Sequence, residues 1–139
     1  MGPKEKSERL ERVALAAAEH AASVDAEASF PSATVHALRE NGFLGLVSAP
    51  AVGGGGASFA GAVEAVERVG RECGSSAMVL CMHYCGTAVL EAHASRDVRQ
   101  AAASGTHLST LAFSEAGSRS HFWAPVSDKL PSPSAEPEC

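Results

Sequence analysis

The sequence has few aromatic residues, few charged residues and no long apolar run. Aromatic side chains make up 5% of the 139 residues and charged side chains 19%. No apolar stretch reaches the roughly 18 residues that a membrane-spanning helix needs. The net charge is −5, which argues against a basic nucleic-acid-binding surface. Charged residues also occupy the N-terminus where a signal peptide needs an apolar core, so we expect no secretion.

Cysteine is also scarce, and its placement does not suggest a disulfide framework. The four cysteines are Cys73, Cys81, Cys85 and Cys139. We therefore expect free thiols in a reducing cytoplasm. His83 lies between two of them, but on a helix it points about 200° away from Cys81. Since zinc sites usually need four ligands, no metal site is predicted here.

The four consecutive glycines at 53–56 do not match a phosphate-binding motif. Ser58 and Phe59 stand where the dinucleotide fingerprint requires its third glycine. A P-loop needs a following lysine, and none is near. The glycines are therefore interpreted as a flexible connector between helices.

Alanine, by contrast, occupies 27 of the 139 positions, which favours closely packed helices. Apolar spacing and turn residues predict helices over 4–28, from Pro31 to Asn41-Gly42, over 59–73 and 76–94, and from 95 to 104. Helix 59–73 is expected to bury a stripe made of Phe59, Val63, Val66 and Gly70. Helix 76–94 is apolar nearly all round and is expected to be the buried one. The short run 43–47 is expected to be an extended connector that packs on the helices.

The pattern changes near the end of the chain. Residues 107–113 alternate with period two and predict a strand. Small residues and hydroxyls follow this strand, and they allow a ligand close to the backbone, although a plain strand and turn gives the same pattern. The Pro- and Ser-rich residues 128–139 are expected to be disordered.

Four segments, in this order, resemble the acyl-CoA dehydrogenase family. Together they span about residues 5–127. They are Phe30-Pro31 with 38–46, the proline- and glycine-containing stretch 50–58, the helix pair in 67–80, and the stretch 111–120 (LAFSEAGSRS), which resembles the family's flavin and substrate loop.

The resemblance implies an N-terminal helical domain, a middle β-domain and a C-terminal helical bundle. It also implies FAD, with Phe113, Ser114 and Ser120 contacting the flavin. The family oxidises the Cα–Cβ bond of an acyl thioester, carried by CoA or by acyl-carrier protein, and it forms homo-oligomers. The residues expected at the substrate are Met78, Cys81, Cys85 and Ser120. The apolar character of the first three suits a fatty chain and plain core packing about equally.

The expected fold is mainly α, a helical-bundle domain over 1–105, followed by an incomplete β-domain over 106–127 and an unrelated tail over 128–139. No catalytic residue is expected in this chain, because the family's glutamate base lies in a C-terminal part that is not matched. We therefore expect a truncated fragment, inactive alone, that binds FAD weakly or not at all. A non-catalytic helical remnant or interaction module, and a fragment of a flavin-dependent monooxygenase of the same fold, stay open as alternatives.

Overall fold

The structure, a computed structural model, describes residues 2–111, which are mainly α-helical. Its elements are α1 (Pro3–Glu27), α2 (Ser32–Glu40), a 3₁₀ turn (Pro50–Val52), α3 (Phe59–Gly70), α4 (Gly74–His93) and α5 (Arg96–Ser104). This confirms the predicted helical fold class. Within residues 2–111, no helix is both long enough and apolar enough to cross a bilayer.

The helix ends follow local backbone chemistry. Asn41 caps α2, and Gly42 follows it with φ +77°, a left-handed conformation that glycine adopts without strain. Gly105 closes α5 in the same way, with φ +74°. Ala28 ends α1 with φ +49° although it is not a glycine. The predicted helix ends were therefore close to the observed ones.

The core lies where α1 packs on α2 and α3, and where α3 packs on α4. One face of α1 is buried in this core. Its buried members are Leu10, Val13, Ala14, Ala17 and Val24. The segment between α2 and α3 adds Phe43, Leu44 and Leu46 to this core, so its packing on the helices is confirmed. It consists of turns and is not extended, because Leu46 and Ser48 donate backbone hydrogen bonds to Phe43 and Gly45.

The predicted buried face of α3 was wrong for Phe59, Val63 and Gly70, whereas Val66 is half-buried and packs against the core. Phe59 and Val63 are 85% and 47% exposed, while the buried residues of α3 are Ala62, Ala65 and Val69. Alanine allows the two helix backbones to approach closely, so the smaller residues occupy the interface.

Helix α4 is also not buried all round. Its buried face includes the polar residues His83 and Thr87, whereas Met78 is 62% exposed and Val89 43%. Apolar side chains thus remain on the outer surface of the α3–α4 pair.

The glycine segment is an ordered loop and not a flexible connector. Gly55 donates to the carbonyl of Gly45, Gly56 to that of Ser48 and Ala57 to that of Leu46, each at 2.9 Å. A Cβ on Gly54 would lie 2.2 Å from the Ser48 carbonyl oxygen, so only glycine permits this approach. The loop therefore fixes the start of α3 relative to the 43–47 segment.

Beyond α5, residues 107–111 carry neither helix nor strand. The rest of the predicted strand 107–113, and most of the proposed β-domain and tail, lie outside the described residues.

Candidate functional site

An apolar groove of about 540 Å³ runs between α3 and α4. One wall is formed by Phe59, Val63 and Val66 of α3, and the other by Cys81, Cys85 and Ala88 of α4. Val47 and Ala57 contribute from the two ends of the hydrogen-bonded glycine loop. The loop thus holds one end of the groove in place.

The two thiols predicted to contact substrate both line this groove. Cys81 and Cys85 lie one helical turn apart on α4, and both are free and half-buried. Burial raises the pKa of the Cys81 thiol, and proximity to Cys85 raises it further. Both effects favour the neutral thiol, so Cys81 behaves as a small apolar side chain.

Met78 does not join them. It lies in a second groove of about 310 Å³ with Phe30, Val79, Met82 and Leu108. The structure therefore places the three predicted acyl-contacting residues in two different grooves on α4. A substrate role for Met78 stays a prediction, but it does not follow from the α3–α4 groove.

The charged residues of the α3–α4 groove are both acidic. Glu67 is paired with Arg71 at 2.6 Å, and Glu91 is paired with Arg99 at 2.6 Å. One carboxylate oxygen of Glu91 is bonded to Arg99, while the other is buried and has no partner among the described residues. The groove is consequently apolar along its walls and carries only carboxylates as charged groups.

Two buried polar side chains fix α4 beneath the groove. The Tyr84 hydroxyl donates to the carbonyl of Phe43 at 2.8 Å, and Tyr84 also lines the groove. Burial raises the pKa of Tyr84 well above its usual range. His83 is fully buried and bonded to Leu44 and Ser109, and it does not line the groove. Among residues 2–111, no cluster of side chains suited to holding a metal ion is formed.

The residues predicted to contact flavin, Phe113, Ser114 and Ser120, lie outside the described residues. Sequence reasoning also missed most of the groove itself, including Phe59, Val63 and Tyr84 as its lining. One feature of the sequence could have indicated the groove: α3 and α4 carry more large apolar residues than one buried stripe requires.

The comparisons with known proteins agree with this architecture. The family model "Acyl-CoA dehydrogenase, N-terminal domain" matches residues 8–106. The chain is also similar to 3-sulfinopropanoyl-CoA desulfinase of Paraburkholderia xenovorans, with 39% identity over 70 residues. That match covers 50% of this chain but only 18% of the relative's length. No solved structure matches the chain. Because the family match covers most of the sequence and coincides with helices α1 to α5, this chain belongs to the acyl-CoA dehydrogenase family through its N-terminal domain.

Proposed function

We propose that the α3–α4 groove receives the acyl chain of a thioester substrate in a flavin-dependent enzyme. The observation that carries this proposal is the groove's lining, which is apolar on both helices and includes Cys81 and Cys85. Its volume of about 540 Å³ lies in the range of small-molecule sites. Each buried methylene contributes about 0.8 kcal/mol, so an acyl chain gains affinity with length until the groove is filled.

The family and the relative support a thioester substrate. The relative's name refers to a CoA thioester, which favours CoA over an acyl-carrier protein as the carrier here. The same name refers to a desulfinase, so relatives of this domain carry out more than one reaction. For the enzyme to which this domain belongs we propose oxidation of the Cα–Cβ bond, as the family resemblance implies.

The described residues do not fit FAD in this groove. The pyrophosphate of FAD is anionic, whereas the charged residues lining the groove are Glu67 and Glu91. A flavin bound elsewhere in the enzyme would accept the hydride, and Phe113, Ser114 and Ser120 are the proposed contacts. The groove therefore supplies acyl binding alone, and no redox step is assigned to its residues.

The chain spans about a fifth of the length of the relative it matches. We propose that the described helices form the N-terminal domain of a homo-oligomeric enzyme and that this domain does not oxidise acyl thioesters by itself. The free thiols of Cys73, Cys81 and Cys85 agree with the reducing cytoplasm expected from the sequence.

A non-catalytic helical module is the second candidate. It is favoured by a hydrophobic core formed within the described residues, where Leu38, Phe43 and Leu80 are fully buried. Such a core allows the domain to fold without a catalytic half.

Calorimetric titration of the chain with butanoyl-, hexanoyl- and octanoyl-CoA tests the proposal. Affinity is expected to rise with chain length and to fall at least about tenfold in Val63→Trp, which fills the groove, a loss equivalent to about 1.4 kcal/mol. Met78→Trp, in the second groove, is the matched control and should bind like the wild type. Equal affinity for all three thioesters would contradict an acyl groove and favour the non-catalytic module.

A further inference from the structure

His83 bridges two separate parts of the chain from inside the core. Its side chain is 0% exposed. Nε2 lies 2.9 Å from the carbonyl oxygen of Leu44, and Nδ1 lies 3.1 Å from the backbone nitrogen of Ser109. A carbonyl only accepts and an amide N–H only donates, so Nε2 must carry a proton and Nδ1 must not. The geometry therefore selects one tautomer of the neutral imidazole.

Gly86 follows His83 by three residues on α4. It allows the segment around Ser109 to pack against the helix. A Cβ at this position would lie 2.7 Å from the Ser109 Cβ and 3.2 Å from the Thr110 nitrogen. Glycine thus lets residues 109–110 cross the helix at van der Waals distance, while His83 holds the amide of Ser109. Two independent features of α4 fix one crossing point.

We propose that His83 is a positioning residue: its neutral ring fixes the path of the chain out of the helical domain, and protonation of the ring releases Ser109. Ser109 is thereby held at one point on α4, where the chain leaves the helical domain. The bridge stands independently of the proposed function.

The surroundings of His83 favour the neutral ring. Burial lowers its pKa from the ordinary value of 6.5 by more than the hydrogen bond to the Leu44 carbonyl raises it, and His107, on the segment after α5, lowers it further. Tyr84 follows it on α4, with ring centroids 6.1 Å apart, and uses its hydroxyl proton to bond Phe43. Arg39 and Leu44 both lie against Gly105, and Arg39 donates to its carbonyl at 2.7 Å. His107 and Tyr84 are thus an imidazole and a neutral phenol, and the Arg39 guanidinium is a cation held at Gly105.

Protonation breaks one side of the bridge for a simple reason. An imidazolium carries N–H groups on both nitrogens, so Nδ1 would direct a donor at the N–H of Ser109. The contact to Leu44 survives, because Nε2 still donates. Acid is therefore expected to free the Ser109 amide selectively.

Nuclear magnetic resonance on the 139-residue chain tests this inference without flavin or thioester. Histidine nitrogen shifts should show the Nε2–H tautomer of His83 near neutral pH. As His83 protonates, the hydrogen-exchange protection factor of the Ser109 amide should fall at least about tenfold more than that of the Phe43 amide, which is bonded to Leu38 and follows the global stability. A proton on Nδ1 at neutral pH, or a Ser109 protection factor independent of His83 protonation, would overturn the inference.

Variants separate this role from general core packing. In His83→Gln, the amide side chain keeps a donor and an acceptor. The hydrogen-exchange protection of Ser109 should therefore be partly retained, and it should no longer depend on pH. In His83→Phe, which keeps a ring but no acceptor, protection should be lost at every pH. Ser109→Ala retains the backbone N–H, and the Ser109 hydroxyl has no partner among residues 2–111, so this control should titrate like the wild type. Because no readout uses a ligand, failed acyl binding would count against the proposed function and leave the bridge standing.

Discussion

The hydroxyl of Tyr84 donates to the carbonyl oxygen of Phe43 at 2.8 Å, across 41 positions of the sequence. This bond joins α4 to the segment that precedes the glycine loop, and both residues are buried. The same tyrosine lines the α3–α4 groove. One side chain thus couples the core to the proposed acyl-binding surface.

Replacing Tyr84 by phenylalanine should reduce the free energy of unfolding by about 1 kcal/mol, the usual net value of one hydrogen bond. The loss stays modest because the Phe43 carbonyl also accepts from the amide of Leu46 at 3.2 Å. Chemical denaturation measures the change. Thr87→Val is the matched control on α4, because the Thr87 hydroxyl is buried without a partner among the described residues. Its stability should be unchanged or increased, and a larger loss in Thr87→Val than in Tyr84→Phe would contradict the assignment.

Gly45 is predicted to be intolerant of any side chain. A Cβ there would lie 1.9 Å from the carbonyl oxygen of Ala103, a backbone atom near the end of α5. Gly45→Ala should therefore destabilise the fold by about 1–3 kcal/mol or more, as overpacked sites do. Gly74→Ala is the control, since nothing lies within 4 Å of its added Cβ. Thermal unfolding compares the two variants, and equal melting temperatures would show that α5 does not press on Gly45.

Acid should destabilise the domain in two separable windows. The lowered pKa of His83 means that the unfolded chain binds a proton first, so stability falls as pH drops below 6.5, by up to about 1.4 kcal/mol per pH unit. The His83→Gln variant should lose this slope. If its stability falls between pH 6.5 and 5 as steeply as that of the wild type, another group is responsible.

The second window belongs to Glu11, whose pKa is lowered chiefly by its hydrogen bond with Arg68. The contact joins α1 to α3 at 2.7 Å. Because the folded pKa lies below the ordinary 4.5, this contribution is present above that pH and is lost as pH falls through the lower folded value. In Glu11→Gln, the free energy of unfolding should fall less steeply with decreasing pH than in the wild type, but only below about pH 4.5. Glu8→Gln on the same helix is the control, and an equal effect there would contradict a specific pair.

Helix positions could be predicted from the sequence because periodicity and end residues act locally. Gly42 and Gly105 end their helices for a reason contained in a few neighbouring residues. The buried face of α3 could not be predicted in this way, because two apolar stripes one position apart have the same period. Which stripe faces inward depends on the closeness of α4, a tertiary property.

The candidate site was predictable only in part for the same reason. The family resemblance directed attention to Cys81 and Cys85, and both line the groove. The resemblance grouped Met78 with these two cysteines. In the structure, however, Met78 lines a different groove, together with Phe30 and Leu108. The ordered glycine loop was missed because its hydrogen bonds depend on the path of residues 45–48, which no local motif specifies.

Chemical-shift mapping of octanoyl-CoA on the isotopically labelled chain tests whether the α3–α4 groove binds the acyl chain. The largest shifts are expected at the residues lining this groove, including Val63, Val66, Cys81 and Cys85. Coenzyme A alone should leave these residues unmoved, because the acyl chain is what the groove binds. Shifts centred instead on Phe30, Met78 and Met82, or none on either helix, would contradict the assignment of this groove as the acyl-binding surface.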